Sequence, residues 1–538
     1  LTSTKCAKNC LVPWWIWVPG MTEPAMQTSV ITSPEFLDDL GLQKVLEACR
    51  CRSPQGTQLK NRLQFFSNDS RDALQEELDA IGRLILLVRA NNPQITEAQT
   101  TLSRLRELKG TLTRLDKDSL LNDTEFFELK SALSIFDRLG NMKSLLDAAG
   151  ISFGDTKSAA ALLDPAGTGN PAFHIYNDYS PELSEIRAQK NELESKIRQA
   201  TGPQRKTLLT QRALITARED REEENVRRQL GEKLAEWLPE IRNNTHNCAT
   251  LDFRLAKAIL AVRWNGCQPQ LVEQHKPAIL QDAFHPLVAA ILEKQGASFT
   301  PISIELRQGA TVLMGANMGG KSVALKTIFL ALLMTQLGYF PSCESLQTPL
   351  FDFFAFEASH EGDLNRGLSS FGLEAVQIRN HFRKSKTQKG LILMDEPCRG
   401  TNPAEATAIV QALCNTYGNS DSTFFIATHY HVKTAPGIRF YQVRGINPDG
   451  LAELPNYRSA ASKTDEAEVN SATDLSSMTM NFYNDDLARV RRIQSLMDYR
   501  LEEIDGVNQS PSGAIKIAEL LGVDEELLRE MKAARQED

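Results

Sequence analysis

The sequence predicts an all-helical region followed by an α/β domain with a parallel sheet, and then a short helical element. Apolar residues recur at three- and four-residue spacings through much of residues 33–280, which is typical of amphipathic helices. From about Pro286 to Pro455, short apolar runs alternate with helical patterns, as in strands connected by helices. A helical pattern returns in Gly513–Met531, where two short helices are expected.

Composition limits the class of protein and its partners. A chain of 538 residues is too long for one hydrophobic core, and 41% hydrophobic with 24% charged residues is typical of a globular protein. The net charge of -8 would repel a phosphate backbone, so any contact with nucleic acid must be local. The nine cysteines lack the paired spacing of a zinc site, and no apolar run is long enough to cross a membrane. We therefore expect a cytoplasmic protein with reduced thiols and no membrane partner.

Six segments follow from these patterns. We expect a disordered or non-native leader in residues 1–32, whose apolar run Leu11–Val18 contains a proline, lacks a signal-peptide cleavage site after it and is too short to cross a membrane. We expect a flexible linker in 456–480, because Arg458–Ser477 is polar and nearly free of large apolar residues. The other segments are a helical core (33–165), a helical lever or arm with a return to the core (166–280), an α/β domain (281–455) and a helical C-terminal region (481–538).

Two helices are expected to form the arm. Ser180 can cap a helix whose first turn contains Pro181 and which should run to about Gln199. After the Gly202-Pro203 turn, a second charged helix should run antiparallel to it, to about Trp237. Both helices carry many charges of mixed sign, which predicts a solvated, ion-paired surface more strongly than a surface that grips DNA.

The clearest chemical motif is Gly315-Ala-Asn-Met-Gly-Gly-Lys-Ser322, which matches the phosphate-binding pattern G-x4-G-K-[ST]. An apolar strand at 311–314 precedes it, and a helix from Val323 to Leu337 is expected after it. In this context, backbone N–H groups and the helix dipole would face the phosphates of ATP, and Lys321 would add a positive charge. The residues expected to bind nucleotide are Gly315, Asn317, Gly319, Gly320, Lys321, Ser322 and Val323.

Two later strands end in polar residues. Leu391-Ile-Leu-Met-Asp-Glu396 predicts a buried strand that ends in two carboxylates, so Asp395 would support Mg²⁺ together with Ser322. Glu396 would act as the general base or orient the attacking water. The strand beginning at Ser422 ends in His429, which could sense the γ-phosphate through a hydrogen bond.

These motifs, with Met394-Asp-Glu-Pro-Cys-Arg-Gly-Thr401 and Ala427-Thr-His-Tyr430, resemble those of MutS-family ATPases. The resemblance implies an ABC-type P-loop ATPase domain after a core and lever, and a C-terminal helix pair that dimerises the chain with itself or with a closely related subunit. Within Asp363–Glu374, it implies that Ser369 and Ser370 reach the γ-phosphate bound by the partner subunit. It also implies a dimer seam at Arg399, Gly400, Thr401 and Asn402, and an adenine-stacking role for Phe299.

The resemblance leaves two functions open. One is a nucleotide-controlled clamp on mismatched or branched DNA. The other is an ATP-driven factor that remodels a protein partner, as short MutS-like ATPases associated with cobalamin-dependent lysine or ornithine aminomutases are thought to do. The sequence shows no mismatch-recognition domain, and the Phe-x-Glu letters at Phe126–Glu128 lie in a helical apolar pattern, where core packing is expected.

Overall fold

The computed structural model describes residues 30–31, 37, 39–62, 65–170, 172–315, 320–358, 370–399, 401–446, 497–506, 515, 518–519 and 523–534. These residues divide into two compact units. One unit lies within residues 48–63 and 79–262, and the other lies within 1–47, 64–78 and 263–538. None of the described helices is long and apolar enough to cross a membrane.

The first unit is helical. Its helices are α2 (Pro54–Asn61), α3 (Arg71–Arg89, entering this unit at residue 79), α4 (Pro93–Leu102), α5 (Lys109–Asp116), α6 (Asp123–Gly140), α7 (Lys143–Ala149), α8 (Lys157–Leu163), α9 (Pro181–Gln199), α10 (Gly202–Ala235) and α11 (Leu238–Arg263). Phe126 on α6 is fully buried and stacks on Phe173 with ring centroids 4.9 Å apart. Core packing therefore accounts for Phe126, as the apolar pattern predicts.

Helices α9 and α10 form the antiparallel pair expected of the arm. The Ser180 side chain accepts a hydrogen bond from the Leu183 amide, and Pro181 occupies the first turn of α9. Arg187 forms ion pairs with Glu219 and Glu223 on α10. The facing helices thus neutralise several of each other's charges.

The second unit contains a seven-stranded and a four-stranded sheet. Its strands are β1 (Val30–Ile31), β2 (Gln270–Leu271), β3 (Ala278–Ala283), β4 (Ile302–Leu306), β5 (Gly309–Met314), β6 (Ser345–Thr348), β7 (Phe353–Ala358), β8 (Gly390–Asp395), β9 (Thr423–Ala427), β10 (Ile438–Ile446) and β11 (Met497–Ile504). Its helices are α1 (Leu42–Ala48, of which residues 42–47 lie in this unit), α12 (Pro286–Lys294), α13 (Lys321–Gln336), α14 (Ser370–Ser385), α15 (Pro403–Gly418) and α16 (Glu525–Ala534).

The order of the larger sheet is β1-β7-β8-β9-β5-β10-β11. Every neighbouring pair is parallel except β10 and β11, which are antiparallel. The inner strands β5, β8 and β9 are almost completely buried, and this explains why each reads as a continuous apolar run. The chain is therefore mixed α/β, with a helical region before a mainly parallel sheet.

Strand β11 corrects the helical prediction for residues 481–538. Met497, Tyr499 and Leu501 alternate with polar residues, which is the period of a strand. Arg444 of β10 forms an ion pair with Glu502 across the strand pair. The local alternation therefore favours a strand, and the edge of the existing sheet supplies its hydrogen-bond partners. Of the two short helices expected near the C-terminus, the second is observed as α16, and most of the first lies outside the described residues.

Candidate nucleotide-binding site

The loop after β5 is shaped by its glycines. Gly315 has φ 146° and Gly320 has φ 77°, in the region that favours glycine. A Cβ on Gly320 would lie 2.7 Å from the Tyr499 ring of β11, so a larger residue would clash there. The predicted helix begins at Lys321, directly after this turn. Asn317 and Gly319 lie outside the described residues, whereas Ser322 is exposed and Val323 is half-buried in the first turn of the helix.

Lys321 is buried and turned toward its own loop and the end of β8. Its Nζ donates to the Gly315 carbonyl oxygen at 2.8 Å and lies 3.2 Å from Oε1 of Glu396. Burial lowers the Lys321 pKa to about 8; the charge of Asp395 opposes this shift, and that of Arg399 adds to it. A buried ammonium group of this kind gains strongly from an anionic ligand that satisfies its hydrogen bonds.

The two carboxylates at the end of β8 have different surroundings. Glu396 is buried, and its carboxylate pairs with both Lys321 and Arg399. The Oδ1 atom of Asp395 is buried and has no hydrogen-bond partner among the described residues. The unsatisfied carboxylate oxygen of Asp395, at the end of β8, and the exposed hydroxyl of Ser322, in the first turn of α13, are oxygen donors of the kind that Mg²⁺ prefers. The residues present therefore fit a magnesium ion held by Ser322 and Asp395.

The strand register brings the polar strand ends together. Asp395 of β8 is paired with Ala427 of β9, and Leu313 of β5 is paired with Ala427 from the other side. His429, two residues beyond Ala427, is exposed, and its ring centroid lies 4.1 Å from that of Tyr430. Burial, followed by the charges of Lys321 and Arg399, lowers the His429 pKa. A neutral imidazole can donate a hydrogen bond to a phosphate oxygen.

The other sequence-predicted residues lie in different parts of the unit. Ser370 is the first residue of α14, and Ser369 lies outside the described residues. Phe299 is half-buried in the segment before β4. Arg399, predicted at a dimer seam, is paired with Glu396 within this chain. The roles of Phe299 and the serines stay predictions.

Two residues that contact the loops of this site, Glu374 and Tyr499, were not assigned a role from the sequence. Glu374 on α14 accepts a hydrogen bond from the Cys398 amide at 2.7 Å. Tyr499 packs over Gly320 from a strand 179 residues further along the chain. Glu374 is the last residue of the Asp363–Glu374 segment that resembles a MutS motif, so its place in that motif could have indicated a role. Nothing in the local sequence around Tyr499 indicates its contact with Gly320.

Part of the chain resembles known proteins. Residues 311–447 match the family model for MutS domain V. The chain is 30% identical to the endonuclease MutS2 of Thermomicrobium roseum, in an alignment covering 45% of this chain and 32% of that protein. It is 25% identical to the DNA mismatch repair protein MutS of Streptococcus mutans, covering 70% of this chain and 42% of that one.

A third relative, the DNA mismatch repair protein MutS of Natronomonas pharaonis, is 24% identical, and its alignment covers 86% of this chain and 60% of that protein. The chain thus spans less than two thirds of the length of these three relatives. The matched residues include β8, β9 and β5 from Thr311 onward, with the strand-end residues described above. The chain is therefore similar to MutS-family proteins, most clearly in the domain that contains these residues.

Proposed function

We propose that this chain is a MutS-type ATPase that binds ATP on the loop at 315–322 and hydrolyses it with Glu396 as the general base. The observation that supports this most directly is the convergence of Lys321, Asp395 and Glu396 at the ends of parallel strands. The carboxyl edge of a parallel sheet is where nucleotide sites form in open α/β domains.

The contacts indicate how binding would prepare Glu396. In the structure, Lys321 and Arg399 both engage the Glu396 carboxylate. When Lys321 turns to the β- and γ-phosphates, Glu396 loses one of its two cations and becomes a better proton acceptor for water. Mg²⁺, when bound by Ser322 and Asp395, would neutralise negative charge on the phosphates. His429 would donate a hydrogen bond at the γ-phosphate.

Substitution of Lys321 tests the nucleotide site. Lys321→Ala should abolish ATP binding in equilibrium titration, because it removes the positive charge aimed at the phosphates. Lys326→Ala is a matched control, because Lys326 lies on the same helix and pairs with Asp39. Unchanged ATP affinity in Lys321→Ala would refute the assignment.

For the physiological substrate, we propose mismatched or branched DNA, held under control of the nucleotide state. The printed names of the relatives, DNA mismatch repair protein MutS and endonuclease MutS2, support DNA processing. Binding should weaken steeply as salt rises, because contacts to phosphates release counterions. Titration of mismatched, branched and fully paired duplexes at several salt concentrations, with and without ATP, measures this.

A protein substrate is the second candidate, and the charge pairing of the arm favours it. Arg187, Lys190 and Arg212 are each paired with a glutamate of the facing helix, so these cations are partly neutralised within the chain. DNA affinity that is weak and the same for all duplexes would support this candidate over DNA. Binding to a cobalamin-dependent aminomutase in pull-down and ATPase stimulation assays would then test the specific partner.

A further inference from the structure

The turn after β8 has a backbone that its own residue types do not favour. Glu396 has φ 49° and Cys398 has φ 66°, although neither is glycine. Left-handed backbone at such residues costs free energy and persists only where surrounding contacts hold it. The contacts around this turn therefore decide whether Glu396 stays in place.

Three parts of the chain provide these contacts. From β9, the Ala427 carbonyl oxygen accepts a hydrogen bond from the Glu396 amide at 2.8 Å. From the segment after β9, the Tyr430 hydroxyl lies 3.5 Å from the Cys398 carbonyl oxygen. From α14, Oε1 of Glu374 accepts from the Cys398 amide at 2.7 Å.

The contact from α14 has the chemistry of a strong, specific restraint. The Glu374 side chain is half-buried and Cys398 is fully buried, so little water competes for this hydrogen bond. A carboxylate is a better acceptor for a backbone amide than a neutral side chain, and the bond length is short for an N–H donor. Glu374 also lies four residues after Ser370, one helical turn along α14.

We propose that Glu374 is a positioning residue for hydrolysis, which holds the 396–399 turn so that the Glu396 carboxylate stays between Lys321 and Arg399. This inference rests on the proposed function. Because α14 begins at Ser370, Glu374 also connects the segment that the MutS resemblance assigns to the partner's site with the proposed general base of its own chain. Displacement of α14 would move the Cys398 amide and, with it, Glu396.

Cys398 itself provides a test that does not depend on activity. Trypsin cleaves after Lys389 and after Arg399 and so releases residues 390–399, a peptide in which Cys398 is the only cysteine. The labelling rate of native protein by N-ethylmaleimide can be followed on this peptide by mass spectrometry. Buried Cys414 of α15, in the tryptic peptide 400–433, is the internal reference.

We expect Glu374→Ala to raise the labelling rate of Cys398 by about tenfold or more, because the turn opens locally without its restraint. Glu374→Gln retains an acceptor oxygen and should restore slow labelling. Labelling of Cys414 should not change in either variant. Gln377→Ala, an exposed residue on the same helix, controls for effects on α14 itself.

ATP turnover then tests positioning. Glu374→Ala should lower kcat by about 10- to 100-fold, the scale of a small misplacement of a catalytic group, with ATP affinity unchanged. Glu374→Gln should recover most of kcat.

Unchanged Cys398 labelling in Glu374→Ala overturns the inference, as does faster labelling with normal kcat. A Gln variant as impaired as Ala would show that the carboxylate acts through its charge or proton, which also overturns positioning through the hydrogen bond. Absence of ATPase activity in the unaltered chain would refute the proposed function, whereas the labelling rates would still decide whether Glu374 holds the turn.

Discussion

At the scale of single residues, the Glu396 carboxylate has two opposed consequences. It stabilises buried Lys321 through their 3.2 Å ion pair, and it competes with phosphate for the same ammonium group. Glu396→Gln should therefore leave ATP binding intact or tighten it. Hydrolysis should slow by about two to four orders of magnitude, the usual contribution of general acid–base catalysis.

Equilibrium ATP binding and single-turnover hydrolysis separate these two effects. Glu344→Gln, an exposed glutamate in the same unit, serves as the control and should change neither. Normal hydrolysis by Glu396→Gln would show that another group activates the water.

Buried histidines should make the α/β unit sensitive to acid. Burial lowers the pKa of His381 and of His285 to about 4 each. Their pKa values are higher in the unfolded chain, which therefore binds more protons between about pH 6.5 and 4, and stability falls as pH drops through this window.

Each histidine should lower the free energy of unfolding by about 2 kcal/mol when the pH falls from 7 to 5. Urea-induced unfolding at the two pH values measures the change. His381→Gln, which cannot become charged, should reduce the pH dependence by about half, because His285 remains. An unaltered pH dependence in this variant would show that His381 is not the source.

Much of the candidate site could be predicted residue by residue, because its motifs are local. Lys321 follows a glycine turn, and Asp395, Glu396 and His429 follow buried strands, so the topology of a parallel sheet is enough to bring them together. The contacts of Glu374 with Cys398 and of Tyr499 with Gly320 join segments that are distant in the sequence, and residue spacing does not predict such contacts. The pairing of Glu396 with Lys321 and Arg399 also depends on the left-handed turn, which no glycine marks.

At the scale of elements, helix α9 shows how closely a local signal can determine a helix. Ser180 caps its N-terminus, and the helix ends at Gln199 as predicted. The Ser180 hydroxyl also donates to Oε1 of Glu222 on α10 at 2.6 Å. One side chain thus starts α9 and connects it to its neighbour.

Ser180→Ala should destabilise the helical unit by about 1 kcal/mol from loss of the cap. Urea-induced unfolding and amide hydrogen exchange in the first turns of α9 measure this loss. Ser195→Ala is the matched control, since Ser195 is exposed in the middle of the same helix, where alanine is the better helix former. Equal effects of the two substitutions would contradict a capping role for Ser180.

At the scale of the whole molecule, the resemblance to MutS-family ATPases predicts that two chains contribute to each complete site. If Ser369 and Ser370 act on nucleotide bound by the partner, replacing both with bulky residues should block turnover and spare binding. A heterodimer of this variant with a Lys321→Ala chain has one site with both defects and one intact site. Mixing two inactive proteins should therefore restore part of the ATPase activity.

Heterodimer formation must be measured alongside, for example with two affinity tags. Inactive mixtures despite abundant heterodimer would contradict a shared site, unless coupling between the sites suppresses the intact one. ATP-dependent dimerisation, measured by light scattering, distinguishes these two explanations.

The register of the last two strands of the large sheet also has a consequence for redesigning the chain. Ile446 ends β10, Met497 begins β11, and the two residues are direct partners across the antiparallel pair. The chain therefore leaves and re-enters the sheet at one place, at Ile446 and Met497. A short Gly-Ser linker can span that gap, because facing residues of antiparallel strands lie about 5 Å apart. Closing a shorter connection between two strands costs less conformational entropy, by about 0.6 kcal/mol for each halving of its length.

Replacing residues 447–496 with such a linker should thus preserve or raise the melting temperature, whereas a scrambled segment of the original length should leave it unchanged. A clear fall in the shortened chain alone would show that the sheet depends on residues within 447–496. If the sheet tolerates the replacement, this position becomes a site where a reporter domain can be inserted beside the nucleotide loop.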